Sequence, residues 1–197
     1  MNHSIDWPIV RRALPALLVL LALTACNELP TRHGATIVPG VAPQGALEEA
    51  NPSDIVVAPV IDETGRAGMP AQDLRTSFQR GLVKRRYSPL ANEYVDLHVV
   101  DGVYSAGTLE EDAVLEVIVE DWDPTYLEAR GAVGVRAVVR LVDASTQGLL
   151  WSGRIDQTVE LGPLRNTKTT TGAVYQRVCD EVATEVLAAL PAHAPAP

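Results

Sequence analysis

A chain of 197 residues has room for one ordinary hydrophobic core with appendages. Its 16 Lys and Arg against 25 Asp and Glu give a formal charge of −9, which argues against a nucleic-acid partner and against adhesion to an anionic bilayer through charge. Aromatic residues are scarce while Val, Leu and Ala abound, so the core is expected to be aliphatic and rich in sheet.

The chain begins with a stretch of its own character. Arg11 and Arg12 precede an uncharged apolar run, Ala13 to Ala25, which falls short of the roughly 20 residues a membrane-spanning helix needs. It reads as an export signal over residues 1–25. The run ends Leu23-Thr24-Ala25-Cys26, a branched apolar residue, two small ones and a cysteine, and this resembles the bacterial lipobox. Small residues let a peptidase take the extended backbone through a narrow site, and the Cys26 thiol would carry a diacylglyceryl group. Cleavage between Ala25 and Cys26 and lipidation of Cys26 are expected over a core or disulfide role, and the residues after Arg12 do not complete a twin-arginine motif. Asn27 follows, and the absence of Asp there resembles the sorting signal of an outer-membrane lipoprotein. Several acyl chains would give lasting attachment, since each buried CH₂ contributes about 0.8 kcal/mol.

Removing residues 1–25 takes away Arg11, Arg12 and Asp6, so the mature charge moves from −9 to −10. Residues 26–53 hold the lipidated Cys26 and a Pro-, Gly- and Ala-rich stretch without periodicity, which reads as a flexible linker. Residues 191–197 (PAHAPAP) read as a disordered tail.

Residues 54–190 carry the periodic elements. Asp54 to Val60 (DIVVAPV) reads as a buried strand with Pro59 near its end. Pro70 suits the first turn of a helix, and Leu74, Phe78 and Leu82 form a stripe that ends in Lys84-Arg85-Arg86, complementing the helix dipole. A short strand interrupted by Pro89 is expected between Tyr87 and Val100. Ala113 to Glu120 reads as a strand with Leu115, Val117 and Val119 on one face. In the next, Val133, Val135, Ala137, Val139 and Leu141 point one way, and Arg136 and Arg140 the other.

Asp143 to Gly148 (DASTQG) has hairpin-turn chemistry. The chain is expected to return over Leu149 to Leu161, with Trp151 and Ile155 inward and Ser152, Arg154, Asp156 and Thr158 outward. A last helix, about Thr171 to Leu190, carries Val174, Val178, Val182, Val186 and Leu190 on one stripe. The order β-α-β-β-β-β-α defines an α+β single domain, a mixed and partly antiparallel sheet with helices on one face.

The segments DIVVAPVIDETGR, DAVLEVIVEDW and VRAVVRLVDASTQGLLWSGRID, in that order behind a lipobox, resemble outer-membrane lipoproteins with a domain similar to the curli-secretion lipoprotein and the TolB amino-terminal domain. The resemblance spans most of residues 54–190. It implies a periplasm-facing, often oligomeric module with no catalytic residues to carry over. The chain lacks the additional pair of long alternating segments of the curli channel, so no pore is expected.

Catalytic and cofactor motifs are poorly supported. Gly162 to Gly172 contains Lys168-Thr169, yet Thr167 stands where a phosphate loop requires Gly. His33, His98 and His193 are scattered, so no metal site is expected. No GxSxG motif is present. Glu110-Glu111-Asp112 and Asp121-Trp122-Asp123 read as solvated turn residues, not a paired acid and base. Cys179 reads as a small buried residue, with an intermolecular disulfide as the alternative. Trp122 and Tyr126 are candidates for partner contact, with packing at the sheet rim the equal alternative.

The expectation is a lipid-anchored, non-enzymatic outer-membrane protein, held by its N-terminal lipid and facing the periplasm. It would serve as an envelope accessory or assembly module that binds a protein partner or its own copies, without nucleic acid or cofactor. The alternative is a carrier for a small apolar ligand serving a transport system. Exposed apolar surface would favour association, and a deep enclosed pocket between sheet and helices would favour a carrier. The even face of the meander, with Arg136, Arg140, Arg154 and Asp156 beside Val138 and Val142, fits an interface better than a pocket.

Overall fold

The structure is a computed structural model that describes residues 42–161 and 171–194. The export signal, Cys26, His33 and the Lys168-Thr169 pair lie outside the described residues.

Among the described residues, six strands form one mixed sheet and five helices pack against it. Helix α1 (Ala46–Ala50) precedes β1 (Asp54–Val57) and β2 (Ile61–Asp62), and α2 (Ala71–Lys84) leads to β3 (Ser88–Pro89) and α3 (Asn92–Asp96). The chain continues through β4 (Ala113–Asp123), α4 (Leu127–Arg130), β5 (Ala132–Asp143), β6 (Leu149–Glu160) and α5 (Thr171–Leu187). The sheet order is β3-β1-β4-β5-β6, with β2 also beside β4.

The strand expected over Asp54 to Val60 is divided in two. Ile55 to Val57 run parallel to Ala113–Leu115, and Ile61 and Asp62 run parallel to Ile118 and Val119, so β1 and β2 lie end to end along β4. Pro59 falls in the break, where its missing N–H removes nothing from the ladder. Between β3 and β4, β1 is covered on both faces, and Ile55, Val56 and Val57 are all fully buried. Pro89 sits in the two-residue edge strand β3, the position a sheet allows proline.

The antiparallel meander follows the alternation in the sequence. Leu115, Val117 and Val119 of β4, Val133, Val135, Ala137, Val139 and Leu141 of β5, and Ile155 and Val159 of β6 all join the main core. That core is closed by Leu74, Phe78 and Leu82 from α2 and by Val174, Val178, Val182, Val186 and Leu190 from the C-terminal helix and the turn after it. Pro70 stands one residue before α2, its carbonyl accepting the Leu74 N–H at 2.9 Å. Arg86, at φ 68°, ends the helix in a left-handed conformation that glycine usually supplies. Between α2 and α5, Asp180 Oδ1 accepts hydrogen bonds from Ser77 Oγ at 2.8 Å and Arg80 Nη2 at 2.5 Å.

The ordered fold extends past both expected boundaries. Helix α1 lies within the stretch read as linker, and its Leu47 is buried in the main core. Residues 191–194 are held by hydrogen bonds, since Tyr87 Oη donates to the Pro191 carbonyl at 2.9 Å and the His193 N–H to the Arg85 carbonyl at 2.9 Å. Composition marks such segments as linkers, but one apolar side chain and a few backbone partners suffice to fix them.

Candidate interaction surface

The second face of the sheet is covered at one end by the chain after β3, where only Ser88–Pro89 of the strand expected between Tyr87 and Val100 is formed. Residues 90–109 cross over β1 and the start of β4, where Val95 and Tyr104 pack with Val56, Ala58 and Val114. Leu90, Val99, Ala106 and Leu109 pack around this smaller core. Helix α3 is therefore on the opposite face from α2 and α5, an addition to the expected single helical layer.

Buried polar groups fix this cover. Arg75, on α2, donates from Nε to the Val57 carbonyl at 2.9 Å and pairs through Nη1 with Asp96, the last residue of α3. Gln79, one turn on, donates to the Leu90 carbonyl at 2.7 Å. Glu111 was expected to be a solvated turn residue. It is buried instead, and its carboxylate accepts the N–H groups of Gly107 at 2.7 Å and Leu109 at 2.9 Å. Asp112 likewise has a structural task, accepting the Ser53 and Asp54 N–H groups at 2.8 and 2.9 Å. Tyr104 is buried beside this loop; burial first, and then the Glu111 carboxylate, raise its phenol pKa.

The outward side of the same cover is apolar. Tyr94 is 50% exposed, Leu97 78%, Val100 71% and Val103 65%. Tyr94 and Leu97 are neighbours at helical spacing. Val100 and Val103 exchange both backbone hydrogen bonds, at 3.0 and 2.9 Å, around a two-residue turn. That turn needs positive φ at both central residues, which Asp101 (51°) and Gly102 (79°) supply. Ordinary exposed apolar residues occur singly. Four within ten residues, on a backbone fixed from beneath, make a surface suited to contact.

The charged residues on the even face of the meander are paired with one another. Arg140 pairs with Glu116 at 3.5 Å, Arg154 with Glu120 at 3.2 Å and Arg136 with Asp156 at 3.3 Å. Ile118 and Val138, register partners on this face, are only 3% and 4% exposed, and Val142 is buried too. Long charged side chains can cover apolar surface while keeping their heads in water. This face therefore offers charge pairs and no exposed apolar patch.

Trp122 is corrected from a surface candidate to a core residue. It is 2% exposed, opposite Val135, and a register shift between Val119 and Asp121 turns it inward. Asp121 remains at the surface and pairs with Arg66 at 3.4 Å. Tyr126 is 52% exposed, with the Arg130 guanidinium 5.2 Å from its ring centre. Cys179 is fully buried, and burial pushes its thiol pKa up to about 12, so it has no access to an intermolecular disulfide in the folded chain.

Among the described residues no cluster of His, Cys, Asp or Glu could hold a metal ion, and no helix is long and apolar enough to cross a membrane. The Ser77–Asp180 contact includes Arg80 and Gln176, and no described histidine joins it as a base. Surface depressions of about 280 and 340 Å³ lie beside Tyr87 and His193 and beside Lys84 and Leu187, both open to solvent.

No protein-family model matches the chain, and no curated protein matches it. Several solved structures are similar. One is the PelC dodecamer from Paraburkholderia phytofirmans, at 16% identity and a TM-score of 0.48, covering 72% of this chain and 91% of that one. Another is lipoprotein GNA1162 from Neisseria meningitidis, at 22% identity and 0.44, covering 68% and 99%. A third is the LpoB C-terminal domain from Salmonella enterica, at 14% identity and 0.41, covering 55% and 82%.

Proposed function

We propose that the chain is a lipid-anchored protein of the bacterial outer membrane, cleaved between Ala25 and Cys26, acylated on Cys26 and facing the periplasm. Its domain acts without catalysis, as an accessory or assembly module that binds other envelope protein or further copies of itself. The resemblance to the curli-secretion lipoprotein and the TolB amino-terminal domain agrees with this role. The observation that carries the binding half is the exposed segment Tyr94, Leu97, Val100 and Val103, whose helix α3 is tied from beneath by Arg75 to Asp96 and by Gln79 to the Leu90 carbonyl. An apolar surface on a fixed backbone needs little ordering on association, which favours contact with a protein.

The test is crosslinking of intact cells that express the full chain or its Leu97→Asn/Val100→Asn variant. Both side chains are largely exposed, so the variant should keep its melting temperature. Discrete protein adducts that fall at least fivefold in the variant are expected. An absence of adducts, or adducts of equal yield in the two proteins, would contradict the reading.

A further inference from the structure

The exposed apolar segment has a charged rim of one sign. The sequence contains no Lys or Arg between Arg86 and Arg130, while Glu93 directly precedes the four apolar residues and Asp96 and Asp101 lie between them. Arg75 neutralises Asp96 from beneath. Glu93 and Asp101 are exposed, and among the described residues no cation pairs with either. The surface therefore joins apolar side chains to uncompensated negative charge.

From this juxtaposition we infer that residues 93–103 receive an amphipathic, cationic segment of another protein, one whose apolar side chains cover Leu97, Val100 and Val103 while its Lys or Arg face Glu93 and Asp101. The inference rests on the protein-binding reading above and names the partner's chemistry. Charge complementarity decides among the possible occupants. A second copy using the same patch across a two-fold axis would bring two sets of the Glu93 and Asp101 carboxylates to one interface with no cation between them, a repulsive arrangement. An anionic lipid surface would meet the same repulsion. A segment with apolar residues at helical spacing and flanking cations satisfies both features, and its attraction should weaken with salt.

A photo-crosslinking residue placed at Val100 in the full-length, membrane-attached protein tests the inference, with a second at Ser152 on the meander's outer face. The crosslinked peptide is then sequenced. The expected adduct at Val100 is a segment of a different protein, with several Leu, Ile, Val or aromatic residues and at least two Lys or Arg within about two helical turns. Glu93→Lys combined with Asp101→Asn should reduce its yield at least fivefold, and the Asn retains a residue that tolerates positive φ. A crosslink to this chain itself, to lipid or to an acidic segment would overturn the inference, as would a yield unchanged by the charge variant. Protein adducts at Ser152 with none at Val100 would overturn this surface while leaving protein binding intact. Adducts at neither position would overturn both.

Discussion

Arg75 and Asp96 join the two faces of the sheet: the buried guanidinium extends from α2 to the carboxylate that ends α3. The Arg75 side chain is 3% exposed and that of Asp96 47%, so the pair runs from interior to surface. Arg75→Leu would leave the Val57 carbonyl without its side-chain donor and Asp96 without its cation. A loss of about 2 kcal/mol is expected, less than for a fully buried pair because water can reach Asp96. Urea unfolding measures the loss, and hydrogen exchange should show residues 92–103 opening before the meander.

Gly81 faces Leu187 where α2 packs against α5. A Cβ built there would lie 2.5 Å from Leu187 Cδ1. Alanine gains up to about 1 kcal/mol of helix propensity, and moving the end of Leu187 off its rotamer costs about as much. Gly81→Ala should therefore unfold within about 1 kcal/mol of the parent. Gly81→Val also inserts branched bulk into a packed helix crossing, and a loss of about 2–3 kcal/mol is expected in the same unfolding assay.

Asp143 organises the β5–β6 turn. Its Oδ1 accepts the Thr146 and Ser145 N–H groups at 2.7 and 3.0 Å, together with both hydroxyls. The Thr146 backbone bond is the largest cause of its lowered pKa, followed by the Ser145 hydroxyl. Because the folded pKa is depressed, the stabilisation is present above the unfolded value of about 3.9 and is lost as pH falls through the folded value. Asp143→Ala should cost about 1 kcal/mol at pH 6. Urea midpoints measured down to pH 2 should show the gap from the parent shrinking.

Cys179 should resist thiol reagents at pH 8 in the folded protein and react fully once urea unfolds it. Burial raises its pKa to about 12. For a thiol the raised folded value means that the unfolded state gains thiolate first, so stability should decline as pH rises above about 8.5. Rapid labelling of the folded chain would contradict the packing of α5.

The meander and the two long helices were legible because each repeats its apolar residues at the period of its element, 2 in β4 to β6 and 3.6 to 4 in α2 and α5. Trp122 was left open between partner contact and packing because the register shift after Val119, which breaks the period of 2 and turns the indole inward, is not legible in the pattern. Glu111 looked like a solvated turn residue, yet its partners are backbone N–H groups, which no side-chain pattern reveals. The surface around Leu97 was missed because Pro89 suggested a broken strand. A signal was nevertheless present: Val100 and Val103 flank Asp101-Gly102, the chemistry of a two-residue hairpin.

Metabolic labelling with radioactive palmitate, followed by membrane fractionation, tests the central claim most directly, because the proposed anchoring would depend on the Cys26 sulfur. The parent chain should take up label and sediment with the outer membrane. Cys26→Ser should lose both properties while keeping the domain folded. A Cys26→Ser protein that still incorporates palmitate, or still fractionates with the outer membrane, would contradict the account.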